Sequence, residues 1–312
     1  MNFSPFFAMS SCAYRGIVVK EKEPLTVDDI QRTVAAVKAE RPAYEKMLMF
    51  YEKIFLAREK AKELVRLTSI QVPDKLLAMK QKEGFPLTDR AGFTVDMEAS
   101  EALLRALFKV AAETNEVLAE AGKKLADALE KGKLDASTLF SAVLSEASHS
   151  FRGLAEELDV GENILAFFGY NSVWPSVSLC AEQLAAYLDD EVSWKKGYCP
   201  VCGSPPALSI LRDEGNRFLF CSFCGHEWHT QRIYCPFCNN QDHTKLHYFF
   251  GEEEKCYRVD ACDVCKKYLK TIDTRELKHP LYPFLEQVST LHLDLLAREQ
   301  GLESGSPVWL QT

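Results

Sequence analysis

The sequence predicts a mainly α N-terminal domain followed by two small rubredoxin-like or zinc-ribbon β modules and a C-terminal helix. Three observations carry this expectation. From Leu25 to about Asp190 glycines are few and apolar residues recur at three- and four-residue spacing, the period of helices with one face in a core. At Trp194-Lys195-Lys196-Gly197-Tyr198 the composition changes to short β-like runs and turn residues. Four C-x-x-C pairs then fall within 67 residues.

The first element opens at Thr26-Val27-Asp28-Asp29, which reads as a capping box, and Pro42 suits the first turn of a second helix. Met47, Tyr51, Ile54, Phe55 and Val65 mark an apolar stripe on that helix, with Arg58 as a charged interruption. Residues 72–94, with Pro73, Gly84, Pro86 and Gly92, read as an irregular connector. Residues 97–121 read as one helix with Leu103, Leu104, Leu107 and Phe108 on a broad apolar face, and Asp135 or Ser137 can start another through His149 to Leu158. Gly161 and residues 169–175 punctuate before a last helix at 177–188. After the cysteines, residues 282–300 read as one amphipathic helix, with Gly301 placed for its C-terminal cap. The expected organisation is a helical domain over 1–190, metal modules over 191–230 and 231–275, and a closing helix and tail over 276–312.

Apolar residues make up 47% and charged residues 26% of the 312, which excludes extended disorder and fibrous architectures. Apolar runs such as residues 164–170 are broken before the roughly 20 residues a bilayer needs. Residues 1–12 end in Ser-Ser-Cys, but no Lys or Arg precedes their short apolar stretch, so a frayed terminus is expected rather than a secretory signal. Nine of the eleven cysteines follow residue 190 with the spacing of metal knuckles rather than of a disulfide framework, and the reducing cytoplasm is the expected compartment.

A two-residue gap lets one tight turn present two thiolates to one ion, and two such turns complete a tetrahedron. Eighteen residues separate Cys202 from Cys221 and 23 separate Cys238 from Cys262, and each gap fits a β-hairpin: 207–211 with 217–220, and 245–250 with 256–259. Sequential pairing places Cys199, Cys202, Cys221 and Cys224 at one site and Cys235, Cys238, Cys262 and Cys265 at a second. An interleaved cross-brace is the alternative, because only ten residues separate the second and third pairs. Tetrathiolate coordination suits Zn²⁺ and an Fe centre of rubredoxin type equally. Ribbons of this size are expected to bury little apolar surface and to draw folding free energy from the metal. His226, His229, His243 and His247 crowd the region, but eight cysteines already fill eight positions, so these read as surface or neighbouring groups. Cys12, Cys180 and Cys256 read as buried or incidental thiols.

Between residues 199 and 270 nine basic side chains balance nine acidic ones, and the whole chain carries a net charge of −8. Nucleic-acid binding through phosphate neutralisation normally needs a basic excess, so the expected partner is a protein, with no membrane insertion. No glycine-rich phosphate loop, H-E-x-x-H or nucleophile elbow is present, and a closed thiolate site leaves no open position for water. The expectation is a chain that is not an enzyme, with no catalytic residues.

The wording around the cysteines, Cys199-Pro200-Val201-Cys202-Gly203-Ser204-Pro205-Pro206, Cys221-Ser222-Phe223-Cys224-Gly225-His226-Glu227-Trp228, Arg232 before Cys235-Pro236-Phe237-Cys238, and Arg258-Val259-Asp260-Ala261-Cys262-Asp263-Val264-Cys265, resembles the formate dehydrogenase accessory protein family, FdhE. The likeness runs through Tyr268-Leu269-Lys270 and into residues 291–301, with Asp294 and Glu299 in the closing helix. It implies a cytoplasmic, non-catalytic maturation factor or chaperone with two rubredoxin-like modules holding iron, whose partner is the catalytic subunit of a respiratory formate dehydrogenase. A rubredoxin-like electron-transfer protein and a zinc-ribbon nucleic-acid binder are the alternative readings.

Overall fold

The computed structural model describes residues 26–114, 116–145, 151–188, 194–251 and 254–307. Cys12 and His149 lie outside these residues. The first helix, α1 (Val27–Glu40), opens on the expected capping box: the Thr26 hydroxyl accepts from the Asp29 amide, and the Asp29 carboxylate accepts from the Thr26 amide at 3.0 Å. A single 3₁₀ turn starting at Pro42 leads into α2 (Glu45–Lys62), which buries Leu48, Tyr51, Ile54 and Phe55. Arg58 is fully buried as well. Its guanidinium lies 3.7 Å from the Trp174 ring centre and 4.2 Å from that of Phe284, and donates to Asn171 Oδ1 at 3.2 Å. The charged interruption is thus held by aromatic faces and one amide.

The stretch expected as a connector contains a helix, α3 (Asp74–Glu83), which buries no residue and ends at Gly84 with φ +71°. The expected helix over 97–121 is two, α4 (Met97–Ala112) and α5 (Glu116–Glu130). At the break, the Thr114 amide bonds back to the Ala111 carbonyl and its hydroxyl to the Val110 carbonyl, closing α4. The expected helix through His149 is likewise divided into α6 (Ala136–Leu144), capped by Asp135, and α7 (Arg152–Leu158).

The largest departure is α8 (Glu162–Ala185), which runs straight through Gly169 and Pro175. Gly169 is there for contact, since a Cβ would meet Val143 Cγ2 at 2.8 Å. Proline costs the helix a hydrogen bond. Burial of almost every residue from Ile164 to Leu184 offsets that cost, because α8 is the hub on which α2, α4 and α6 pack. The helix is long and apolar enough to cross a membrane by length, yet 89% of its most apolar window is buried inside the protein.

Seven strands form one sheet among the described residues: β1 (Pro206–Arg212), β2 (Asn216–Cys221), β3 (Glu227–Thr230), β4 (Leu246–Phe250), β5 (Tyr257–Cys262), β6 (Lys267–Asp273) and β7 (Glu303–Ser304). Both expected hairpins are present, β1/β2 with Arg212 opposite Asn216, and β4/β5 with Phe250 opposite Arg258. The order is β3-β2-β1-β6-β5-β4, with β7 on β6. Parallel pairing of β1 and β6, Ser209 to Thr271 through Leu211 to Asp273, joins the two ribbons edge to edge. The expectation that the ribbons bury little is corrected here, since Leu208, Ile210, Leu219, Val259 and Leu269 are all buried.

The expected single C-terminal helix is two short ones, α9 (Pro283–Ser289) and α10 (Leu291–Glu299). Carbonyls near the break have partners outside the helix: Lys270 Nζ takes the Gln287 carbonyl at 2.8 Å, and the Thr290 hydroxyl takes that of Glu286 at 2.6 Å. Lys270 also pairs with Asp294 at 2.7 Å in a buried salt bridge. Phe284 of α9 ties the halves together, edge-on to Trp174 of α8 at 5.0 Å and to Phe220 of β2 at 5.2 Å. One hydrophobic core therefore runs from α1 through the sheet to α10.

Candidate metal centres

Each C-x-x-C turn is a local structure before it is a site. In the first, the Gly203 amide bonds to the Cys199 carbonyl and the Cys199 amide to the Ser204 carbonyl, both at 2.9 Å. The third repeats this with Asn239 and Asn240 on Cys235, and in the fourth Lys266 bonds the Cys262 carbonyl. The residue after each second cysteine has a left-handed backbone: Gly203 (φ +73°), Gly225 (+76°), Asn239 (+58°) and Lys266 (+57°). That conformation costs an ordinary L-residue roughly 1–2 kcal/mol. The sequence carries this conformation as C-x-x-C followed by Gly, Gly, Asn and Lys.

The turns bring the eight cysteines together in sequential order: Cys199, Cys202, Cys221 and Cys224 in one group, and Cys235, Cys238, Cys262 and Cys265 in the other, with all sulfurs of a group within 4.8 Å of one another. In the first group the Cys199–Cys224 and Cys202–Cys221 sulfurs lie 3.7 and 3.4 Å apart; in the second, Cys235–Cys265 and Cys238–Cys262 lie 3.6 and 3.7 Å apart. A tetrahedron with metal–sulfur bonds of about 2.3 Å has edges of about 3.8 Å, so the donor sets fit a four-coordinate thiophilic ion. Amides of Phe223 and Cys224 point at the Cys221 sulfur at 3.4 Å.

Charge argues the same way. Burial pushes the Cys199 and Cys224 thiols well up. Cys202 is held well below the usual thiol range, its burial outweighed by hydrogen bonds from Cys199, Cys221 and Cys224. In the second group burial raises Cys235 and Cys265, whereas at Cys262 the burial is outweighed by the amides of Cys265 and Val264. Four crowded sulfurs cannot all ionise without a cation among them. These two groups could each hold one metal ion: zinc would act as a fixed crosslink, and iron would add a one-electron couple.

The two sites differ in their surroundings. The first has all four cysteines buried, whereas in the second Cys238 is exposed and Cys265 half-buried. The helical half holds the first site directly. Amides of Leu87 and Thr88 bond the Pro200 and Val201 carbonyls at 2.9 Å, the Tyr170 hydroxyl of α8 bonds the Phe223 carbonyl at 2.9 Å, and Arg90 Nε bonds Ser204 Oγ at 3.2 Å. None of these clamps is visible in the cysteine spacing.

No histidine joins either group among the described residues. His229 lies beside Phe218 in β2, and partial burial lowers its pKa; His247 pairs with Asp263 at 3.5 Å. Cys180 is buried in α8 against the Thr94 carbonyl, and Cys256 is half-buried beside β5.

A helical platform sharing its core with a sheet that carries two four-cysteine groups defines the class: a protein with paired four-cysteine modules, each able to hold a metal ion. Residues 198–232 match the family model "FdhE, central domain" and residues 233–310 match "FdhE, C-terminal domain". Residues 198–310 are thus similar to two consecutive FdhE domains. The chain is 35% identical over 149 residues to the "Protein FdhE homolog" of Aquifex aeolicus (strain VF5), covering 46% of this chain and 51% of that one. It is 30% identical over 142 residues to "Protein FdhE" of Escherichia coli (strain K12 / DH10B), covering 43% of this chain and 45% of the relative. The chain thus spans about half the length of the curated relatives it matches. The crystal structure of the FdhE protein from Pseudomonas aeruginosa superposes with a TM-score of 0.63, covering 92% of this chain and 96% of that one at 21% identity, a likeness of fold.

Proposed function

We propose that this chain is a non-catalytic maturation factor that binds the catalytic subunit of a respiratory formate dehydrogenase in the cytoplasm and supports its assembly or activation. The observation that carries the reading is the position of the eight cysteines, all inside the span that matches two consecutive FdhE domains, in two groups with four sulfurs each. Four thiolates around one ion leave no coordination position for a reacting water, which agrees with a binding rather than a catalytic role. In this reading residues 191–230 and 231–275 are the metal modules, Cys199, Cys202, Cys221 and Cys224 ligate the first ion, and Cys235, Cys238, Cys262 and Cys265 ligate the second. Family resemblance favours iron, with zinc the alternative. Deleting the gene should abolish formate dehydrogenase activity in the host while its catalytic polypeptide is still made, and that polypeptide should be recovered with the tagged chain. Normal activity in a deletion strain with no related gene would overturn the reading.

The exposure of Cys238 favours a second reading, electron transfer through the second site. Metal analysis and voltammetry on protein purified without oxygen separate the two: a reversible iron couple at the second site supports electron transfer, and its absence removes it.

A further inference from the structure

β4 is the last strand of the sheet, and among the described residues its outer edge pairs with nothing. The Asp263 amide bonds the Lys245 carbonyl at 2.9 Å, opposite it in the β4/β5 register, so alternation commits 245, 247 and 249 to β5. The polar backbone groups of Tyr248 and Phe250 therefore point outward. Edges of this kind are normally blunted by charge, proline or a covering element. Here the strand reads Leu-His-Tyr-Phe-Phe, with Tyr248 58% and Phe250 46% exposed.

A cleft of about 340 Å³ reaches inward from this strand, lined by residues of β4, β5 and β6, by Cys235 and Cys262 of the second cysteine group, and by the loop that carries Ile233, which is itself 62% exposed. Arg217, Arg232, Arg258 and Lys267 line it against a single carboxylate. The one carboxylate lining it, Asp260, is already bonded by Arg258 at 2.8 Å and the Thr271 hydroxyl at 2.7 Å, and faces Arg217 at 3.6 Å. Arg232 and Lys267 line the same cleft, and no carboxylate pairs with either among the described residues. Arg258 also stacks on Tyr248 at 4.6 Å, so cation and aromatic surface are presented together.

We infer that β4 and this cleft form a docking surface for an extended acidic segment of the partner polypeptide, which adds as a strand to the free edge and places its carboxylates against Arg232 and Lys267. The inference rests on the proposed partner role, and deepens it by naming the surface and the kind of segment. Main-chain bonds along the edge would supply affinity, and the cleft would select side chains. A second copy of this chain fits less well, because edge-to-edge pairing of two β4 strands would bring like-charged clefts together between two molecules of net charge −8.

The test uses the full metal-loaded chain and a fluorescein-labelled, end-capped peptide of alternating Glu and Val, with a Lys and Val peptide as control. The Glu peptide should bind about tenfold more tightly than the Lys peptide and protect the amides of 246–250 from hydrogen exchange. Tyr248→Pro removes an outward amide without removing a β4/β5 bond, a substitution edge strands tolerate. Arg232→Glu reverses an exposed charge. Each should weaken the Glu peptide about tenfold with both metal ions retained. Equal binding of the two peptides, or unaltered affinity in Arg232→Glu, overturns the docking surface. The immature formate dehydrogenase catalytic polypeptide should displace the peptide. Peptide binding without displacement leaves the surface standing and overturns the partner reading. A dimer that Tyr248→Pro converts to monomer assigns the edge to a second copy and overturns the inference.

Discussion

Replacing Phe223 by alanine tests whether the first cysteine site and the helical half are one folding unit. Phe223 lies inside the second C-x-x-C turn and is fully buried, with its ring 5.7 Å from Phe93 and 6.0 Å from Tyr170, and Arg90 over its face at 5.1 Å. Truncating a buried phenylalanine costs about 3–5 kcal/mol in lost transfer energy and residual cavity. That is a large share of the roughly 5–15 kcal/mol that holds a domain folded. The partners sit on the helical side and the backbone sits on the sheet side, so the cost should fall on both. We expect urea unfolding of the metal-loaded protein to lose about 3–5 kcal/mol whether followed by far-UV circular dichroism, which reports the helices, or by thiol accessibility, which reports the sites. Adding Phe93→Ala should be less than additive by about 0.5–1.5 kcal/mol, the worth of the ring pair. A loss below about 1 kcal/mol, or a thiol transition that moves while the helical one stays in place, would refute a shared unit.

Chelator should remove the second ion before the first, since Cys238 is exposed and the first group is wholly buried; timed metal quantification of wild type against Cys235→Ser/Cys238→Ser checks the order, and simultaneous release would contradict it. Gly203→Ala should cost about 1–2 kcal/mol, because φ is +73° and the new Cβ would sit 3.2 Å from Pro86 Cγ; competition with a metal indicator should show weaker retention at the first site alone. Burial pushes the Glu286 carboxyl up to about 7, with the Tyr257 hydroxyl bonded to it at 2.9 Å. The folded state therefore holds this proton more tightly than the unfolded chain, so the contribution is complete below the ordinary glutamate range near 4.5 and is lost as pH rises through 7. Stability measured between pH 4.5 and 7 should fall by about 3 kcal/mol more in wild type than in Glu286→Gln, and parallel curves would refute the assignment.

The cysteine groups were legible in the sequence because a C-x-x-C turn is a local object whose spacing alone states what it can do. The hairpins between Cys202 and Cys221 and between Cys238 and Cys262 followed from the same short range. Long-range packing was not legible. Gly169 and Pro175 read as helix breakers, yet contacts with Val143 and burial on all sides carry α8 through them. Conversely, 282–300 has a helical pattern throughout, and its division comes from Lys270, distant in sequence, which takes the Gln287 carbonyl. The β1/β6 pairing has no signature in either strand, since parallel neighbours are chosen by the fold rather than by a turn.

That pairing limits how the chain can be divided. A cut after Thr230, where the spacing invites one, would leave β1 without Ser209 to Leu211's partners in β6, and would strip the Leu211 carbonyl of both the Thr274 amide at 3.0 Å and the Thr274 hydroxyl at 2.9 Å. Each fragment would then expose an apolar strand edge from the middle of the sheet, the kind of surface that recruits other chains. Separately produced ribbons are therefore aggregation-prone pieces, and a soluble minimal fragment must keep residues 199–274 in one polypeptide.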